Sequence, residues 1–393
     1  MNIGIVGAGT AGAISILGMI NEKLYFPDKY PNLKITCIYD PAIPITQVGE
    51  STSPTLLVLL RDVLGIDFLE DVDNYDGTPR YYTKYFHSEA GGEDFYVHHA
   101  GCGLHVNSGK FSMYILKKLA ERYPEFTIIE DTVDRITQTI DHATVECKNS
   151  NFDFDFVIDC RGSPTEEELN SDAYNTNVFE SVNSVILFPH FQKYDEMFTS
   201  VHFHKNGWMF GVPLQHRKAF GYLYNNKHTS YEQAAKDFAD LKVIDTSELR
   251  NFSWRPYHKK LALDGRVLSM GNRLYLFEPQ HAMPLHYYLN LTRTFIMWAV
   301  SCPVNVLNRL VNQFHWDNIE RMQDLVAINY CKQTTFDSDF WNDINVRANA
   351  RLNNSPTWQD WLANVRANNK FEQYYTHDSS VMRNYITGYK IPI

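Results

Sequence analysis

The opening of this 393-residue chain constrains its fold more than any other stretch. "NIGIVGAGTAGAISILGMI" is a short β-rich run, a glycine turn and an apolar helix, with Gly7, Gly9 and Gly12 spelling GxGxxG. The first glycine permits the turn, the second lets backbone approach a pyrophosphate, and the third allows close helix–strand packing. Thr10 and Ala11 begin the helix whose N-terminus faces the phosphates. "LKITCIYD" reads as the second strand and ends at Asp40, where an acid either binds adenosine ribose hydroxyls or closes a strand-end turn. A dinucleotide-binding α/β module is expected, and the motif by itself leaves NAD and FAD open.

Composition narrows the partners. Apolar residues make up 44% and aromatics 14%, which is globular, and 24 Tyr with 24 Phe suggest an aromatic-lined cavity. A formal net charge of -10 without a Lys/Arg run argues against nucleic acid and anionic membrane. The most apolar run, "TFIMWAVSCPVNVL", is interrupted by Ser301 and Pro303 and is too short to span a bilayer. No signal peptide is recognisable, so a cytoplasmic location is expected. Six scattered cysteines without CxxC spacing read as reduced thiols. His98, His99, Cys102 and His105, or His202 and His204, contain metal-ligating side chains. No second Cys/His pair stands at finger spacing, so no metal is expected.

Later segments extend the module. In "VGESTSPTL", Ser53 is placed to cap a helix with Pro54 at its first position. "DFDFVIDCRG" reads as a strand turning at Asp159-Cys160-Arg161-Gly162. "RVLSMGNRLYLFEP" is a strand closing on Gly271-Asn272, where backbone can approach a flavin phosphate and ribitol. No GxSxG nucleophile motif and no second GxGxxG for NADPH occur.

Taken in order, GAGTAG (7–12), VGESTSP (48–54), DCRG (159–162), GWMFGVPL (207–214) with GYLY (221–224), GNRLYLFEP (271–279) and DLVAINYCKQTTFDSDFW (324–341) resemble the flavin-dependent tryptophan-halogenase family, within the FAD monooxygenase-like superfamily. The resemblance implies an α/β fold: a Rossmann-like FAD module, a mixed β-sheet substrate region and a helical C-terminal part. It divides the chain into a first FAD segment (1–180), a sheet region (181–255), a returning FAD segment (256–290) and a helical substrate-covering region (291–393). It implies cofactor contacts from the glycine turn, Asp40, Gly49, Glu50, Ser51, Thr52, Asp159, Gly271, Asn272, Glu278 and Pro279.

The family's chemistry implies that reduced FAD from a separate flavin reductase, oxygen and a halide ion yield an electrophilic halogen. That species travels through a tunnel to an aromatic small molecule. GWMFGVP matches the family's WxWxIP signature, with Trp208 and Pro213 kept and Phe210 for the second Trp; His98 and Trp341 join them as substrate or tunnel candidates. A homo-oligomer is compatible with the resemblance.

Two family positions differ here. The ungapped path from Glu50 places Arg80 where the family has its halogen-handling Lys, and Lys84, four residues on, is expected on the same strand face as an alternative. Arg80 keeps its proton and a rigid fork, whereas a lysine can be deprotonated. An ion pair with Glu89, Glu93 or Asp94 is the structural alternative for Arg80. The family's proton-accepting Glu becomes His281, and Ala282 and Met283 replace residues that help hold halide. A neutral His281 can accept a ring proton near neutrality, or can be a buried, hydrogen-bonded histidine. A halide-independent monooxygenase or oxidase and a non-catalytic flavin-binding homologue are the alternatives to halogenation.

Overall fold

A computed structural model describes residues 1–45, 49–67, 70–241, 249–332, 334–368, 370–375 and 377–392, and only the backbone of Ala100. Val48 of the VGESTSP segment lies outside them.

Two sheets organise the chain. The first has six strands in the order Leu263–Asp264, Val267–Ser269, Phe156–Asp159, Asn2–Val6, Lys34–Tyr39, Phe126–Glu130. All neighbours are parallel except the first pair. Its strands are near-continuous apolar runs because both faces are covered. Helix Thr10–Tyr25 covers one face and is sandwiched by helix Met283–Ala299, with Gly18 against Leu289 and Thr292. The three-stranded meander Val133–Gln138, Ala143–Cys147, Asn151–Phe154 covers the other, burying Ala143, Val145 and Phe154 against Val6, Ile38 and Val157.

The second sheet has eight strands, in the order Arg250–Ser253, Ser184–His190, Lys218–Tyr224, Gly207–Pro213, Phe198–His204, Thr78–Phe86, Phe95–Asn107, Gly49–Ser51. Only the pairing of Phe198–His204 with Thr78–Phe86 is parallel. One face packs Met209 and Tyr222 against Ala234 and Phe238 of helix Tyr231–Leu241. The other contributes Tyr85, Phe203 and Trp208 to the main core, which it shares with helices Val304–Ile328, Asp339–Asn354, Pro356–Asn368 and Ser379–Gly388. The α/β module, mixed sheet and helical C-terminal part are the expected fold class.

The expected division at residue 180 does not follow the sheets. Strands 49–51, 78–86 and 95–107 belong to the eight-stranded sheet although they precede that boundary, because 78–86 pairs with Phe198–His204 of the sheet region, 95–107 pairs with 78–86, and 49–51 pairs with 95–107. Helix Pro54–Leu64 starts as expected behind Ser53, but the Ser53 side chain makes no capping bond. All six cysteines are free thiols. Among the described residues no helix is long and apolar enough to cross a membrane, and no group of three or more His, Cys, Asp or Glu is arranged to hold a metal.

Candidate active site

The glycine turn is built as a cradle. Gly7 has φ +114°, open to glycine at little cost, and a Cβ on Gly12 would lie 2.2 Å from the Gly7 carbonyl oxygen. A Cβ on Gly9 would meet nothing within 4 Å, so this backbone borders open space. Gly9 is also the N-cap of helix Thr10–Tyr25 and supplies no side-chain cap, which leaves the helix's first N–H groups to a ligand or water. The returning strand sets Gly271, at φ +65°, beside Ala11.

Buried polar atoms without partners mark the interior end of this cradle. Glu50 accepts a hydrogen bond from Thr10, yet its Oε2 is buried and unpartnered, and burial pushes its carboxyl up to about 7. The Tyr375 hydroxyl and both polar atoms of the Gln280 amide are likewise buried and unpartnered, while the Tyr275 hydroxyl is buried beside that of Tyr288. Burying such groups without partners is costly, and a bound polar cofactor would offer them partners. Backbone open to a pyrophosphate beside polar atoms awaiting partners fits a flavin dinucleotide.

The other expected cofactor contacts divide. Asp40 ends its strand as expected, and its oxygens accept from Ala42 N at 2.8 Å and Thr132 Oγ1 at 2.8 Å. Asp159 is held by Arg161, Nε at 2.9 Å and Nη2 at 3.0 Å, with Arg273 Nε at 3.3 Å. Gly49, Glu50 and Ser51 pair with Asn107, Val106 and His105. The Thr52 hydroxyl accepts from Leu104 N at 2.8 Å. Asn272 and Pro279 are exposed, and the Asn272 carbonyl accepts from the Tyr257 hydroxyl.

Arg80 lies in the interior, 5% exposed. Its Nε donates to Thr199 Oγ1 at 3.1 Å, Nη1 to the Thr52 carbonyl at 3.1 Å, and Nη2 to Thr83 Oγ1 at 2.8 Å. Every one of these acceptors is neutral. Burial brings the guanidinium down to about 10, so it stays protonated at neutral pH. The alternative of an ion pair fails for all three acids considered: Asp94 accepts from the His87 and Ser88 amides, Glu93 pairs with Lys390 at 3.2 Å, and Glu89 is exposed while Arg80 is buried. The Glu50–Thr52 stretch therefore touches the glycine turn through Glu50 and Arg80 through Thr52.

Lys84 does not share the face of Arg80. Pairing with strand Phe95–Asn107 jumps between Arg80, opposite Gly103, and Tyr82, opposite His98. This irregularity breaks the two-residue alternation. Arg80 joins Thr83, whereas the Lys84 ammonium sits 4.2 Å from the Phe86 ring centroid and 5.5 Å from that of Tyr96. The histidine expectation is not met either. His98 is exposed, against the rings of Tyr82 (5.4 Å) and Tyr96 (6.1 Å). His99 turns inward instead, its Nε2 buried and unpartnered, and burial with Arg80 nearby holds it down to about 2.

His281 reaches this region on a strained turn, with φ +66° at His281 and +50° at Ala282. Its Nε2 accepts from Asn329 Nδ2 at 2.7 Å. The amide orientation is fixed because Asn329 Oδ1 accepts from the Tyr389 hydroxyl at 2.7 Å while Nδ2 also faces the Leu325 and Val326 carbonyls. His281 Nδ1 therefore carries the proton and donates to His377 Nε2 at 3.0 Å. With both nitrogens engaged, and protonation pushed well below the usual histidine range by burial and by His377, His281 is the buried, hydrogen-bonded histidine rather than a free base. Tyr385 stands against its ring at 4.6 Å and within electrostatic reach of Arg80. His377, Tyr385 and Tyr389 carried no sequence signal for this site; Asn329 lies in the quoted segment 324–341 with no role read for it, and His99 had been weighed only as a metal ligand.

Glu278 forms a separate chain. Its Oε2 accepts from Ser181 Oγ and from the Tyr330 hydroxyl at 2.9 Å, and Tyr330 in turn accepts from Trp208 Nε1 at 2.7 Å. Burial pushes the Glu278 carboxyl up to about 8, so at neutral pH it is mostly uncharged. Phe210 follows on the same strand, 6.5 Å from Trp208, and the Pro213 carbonyl accepts from Thr78 Oγ1 at 2.7 Å. Trp341 is buried, donates to the His204 carbonyl at 2.8 Å and packs on Tyr330 and Phe203.

Comparison with known proteins places this geometry in context. The tryptophan halogenase family model matches residues 2–127 and 96–384. Tryptophan 7-halogenase RebH of Lentzea aerocolonigenes is 21% identical, over 97% of this chain and 86% of its own. The crystal structure of a tryptophan halogenase from Shewanella frigidimarina superposes with a TM-score of 0.83 at 17% identity, covering 99% of this chain and 88% of that one. BrvH, a flavin-dependent halogenase from Brevundimonas sp. BAL3, gives 0.78 at 16% identity, covering 99% and 89%.

Proposed function

This chain belongs to the tryptophan halogenase family, and from that premise we propose that it is a flavin-dependent halogenase acting on an aromatic small molecule. FAD, delivered reduced by a separate reductase, would supply oxygen activation that converts a halide ion into hypohalous acid. The observation carrying the reading is the short span from Glu50 to Thr52, which joins the nucleotide cradle to a buried, protonated Arg80. Gly9 and the helix N-terminus would take the pyrophosphate, and Glu50, Gln280 and Tyr275 would meet polar edges of the flavin. Arg80 would hold and orient the hypohalous acid by hydrogen bonds rather than as an amine. Trp208, fixed by Tyr330, and Phe210 would wall the passage and exclude water.

A second reading is favoured by His281. With both its nitrogens engaged there is no free base at the position where the family carries its glutamate, which suits halide-independent oxygenation. Both readings meet in one assay: purified protein with FAD, a flavin reductase, NADH, oxygen and chloride, bromide or iodide, against an aromatic panel by mass spectrometry. Halogenated product supports the first reading. Oxygenated product independent of halide supports the second, and no product with any halide overturns both.

A further inference from the structure

Glu50 sets an acid against a place built for an anion. Strand Gly49–Ser51 carries it beside the N-terminus of helix Thr10–Tyr25, where one carboxyl oxygen accepts from the Thr10 hydroxyl and Oε2 is buried without a partner. Gly9 caps that helix without a side-chain bond, and a Cβ there would meet nothing within 4 Å. The free N–H groups of a helix N-terminus attract anions, and FAD carries an anionic pyrophosphate. An ionised carboxylate on the same turn would repel that group at short range.

The described neighbours of Glu50 bring no compensating cation. Val106 stands opposite it on strand Phe95–Asn107, and His105, opposite Ser51, is held neutral by burial, Arg80 and Lys218. Gly49 packs on Val212 and Ala219. Tyr288 faces Glu50 from helix Met283–Ala299, its phenol pushed far up by burial and by Glu50 itself. Cys160, within reach of Tyr288, is held as the thiol by burial and by Asp159. Burial thus acts on Glu50 against the Thr10 hydroxyl alone and pushes its carboxyl up to about 7, so both of its protonation states are accessible near neutrality.

We propose that Glu50 binds the dinucleotide as a carboxylic acid, its Oε2 carrying a proton and donating it to FAD, so that loading of the cofactor is coupled to one proton. This rests on the reading of the glycine turn as the FAD cradle and adds a regulation of that site. Where Glu50 is ionised in the empty protein, the proton comes from solvent as FAD enters and returns to solvent as FAD leaves. A bound anion favours the protonated form, so the carboxyl of the loaded protein ionises at higher pH than that of the empty one. Affinity is therefore full below about 7 and falls as pH rises above it, by up to about tenfold per pH unit. Acid favours loading and base favours release.

The test reads binding and needs no turnover. Oxidised FAD, which does not itself ionise near neutrality, is titrated into the full chain from pH 6 to 8.5, with flavin fluorescence giving the Kd. The expected result is a Kd about tenfold or more higher at pH 8.5 than at pH 6.5. Calorimetry at pH 8 in two buffers of different ionisation enthalpy is expected to show uptake of about half a proton or more per FAD. Glu50→Gln keeps the shape and a donor but cannot ionise, so its Kd is expected to vary less than about twofold over this range, without proton uptake. Should Glu50→Gln fail to fold, infrared difference spectra of the wild type decide: FAD binding at pH 8 is expected to bleach a carboxylate band and raise a carboxylic acid band. A wild-type Kd constant with pH, proton release on binding, or a Glu50→Gln profile as steep as the wild type's overturns the proposal. FAD binding that ignores pH overturns this proposal and leaves the cradle reading standing, whereas no FAD binding at any pH overturns both.

Discussion

Lys84 and Arg80 lie four residues apart on one strand yet face opposite sides of its sheet, because the register breaks between Arg80 and Tyr82. Arg80 points into the interior onto Thr52, Thr83 and Thr199, and Lys84 lies over the rings of Phe86 and Tyr96. Lys84→Ala is therefore expected to leave kcat/KM within about twofold while lowering stability by about 0.5–1 kcal/mol, the cation–π contribution. Steady-state kinetics and urea unfolding on the same preparation check this. A large loss of activity with unchanged stability would place Lys84 in the chemistry.

The cradle separates folding from cofactor binding. Gly9→Ala adds a Cβ where the protein has nothing within 4 Å, at φ -72°, so the apoprotein melts normally while FAD affinity falls about tenfold or more. Gly12→Ala puts a Cβ against the Gly7 carbonyl and costs about 2 kcal/mol or more in the apoprotein itself. Thermal melts with and without FAD distinguish the two. Equal destabilisation of both apoproteins would refute the open space at Gly9.

Glu278 gives the apoprotein a signed pH dependence. Its folded-state pKa is raised from 4.5 to about 8, so the folded state holds its proton more tightly than the unfolded chain. The stability it contributes is complete below about 4.5 and is lost as pH rises through about 8. Glu278→Gln keeps a neutral group and is expected to remove that loss, which amounts to a few kcal/mol at most. Urea unfolding from pH 5 to 9 would show a flatter curve for the variant; parallel curves would count against a buried neutral acid.

Asn329 sets the protonation of His281. Asn329→Asp would place a carboxylate 2.7 Å from Nε2, drawing a second proton onto the ring and raising its pKa from far below the usual range. Imidazole NMR is expected to show His281 titrating between pH 5 and 8 in the variant and staying neutral throughout that range in the wild type. An unshifted resonance in Asn329→Asp would contradict the assigned tautomer.

What was legible in the sequence was the part governed by local geometry. The glycine turn, the strand into Asp159 and the return to Gly271 each need a particular residue at a particular backbone position, and they stand where the motifs put them. Strand-face assignments failed at one place for one reason. Alternation assumes an unbroken ladder, and the jump from Gly103 to His98 turned Lys84 away from Arg80; His98, expected from the resemblance, is exposed next to buried Val97. The roles of His377, Asn329 and Tyr385 were invisible, although Asn329 lies in a motif, because they meet Arg80 and His281 only through the docking of C-terminal segments, and no spacing rule reports that contact.

The parallel pairing of Phe198–His204 with Thr78–Phe86 joins segments more than a hundred residues apart, while strands of the six-stranded sheet occupy the chain on both sides of them. Neither sheet can be excised with a single cut. A fragment ending near residue 180 would carry the complete glycine turn but would lack the strand Val267–Ser269 and leave Thr78–Phe86 with a bare edge, a template for association with another copy. The glycine turn is then not a transplantable cassette, because the strands that complete its sheet and that cover the edge of Thr78–Phe86 come from beyond any single cut.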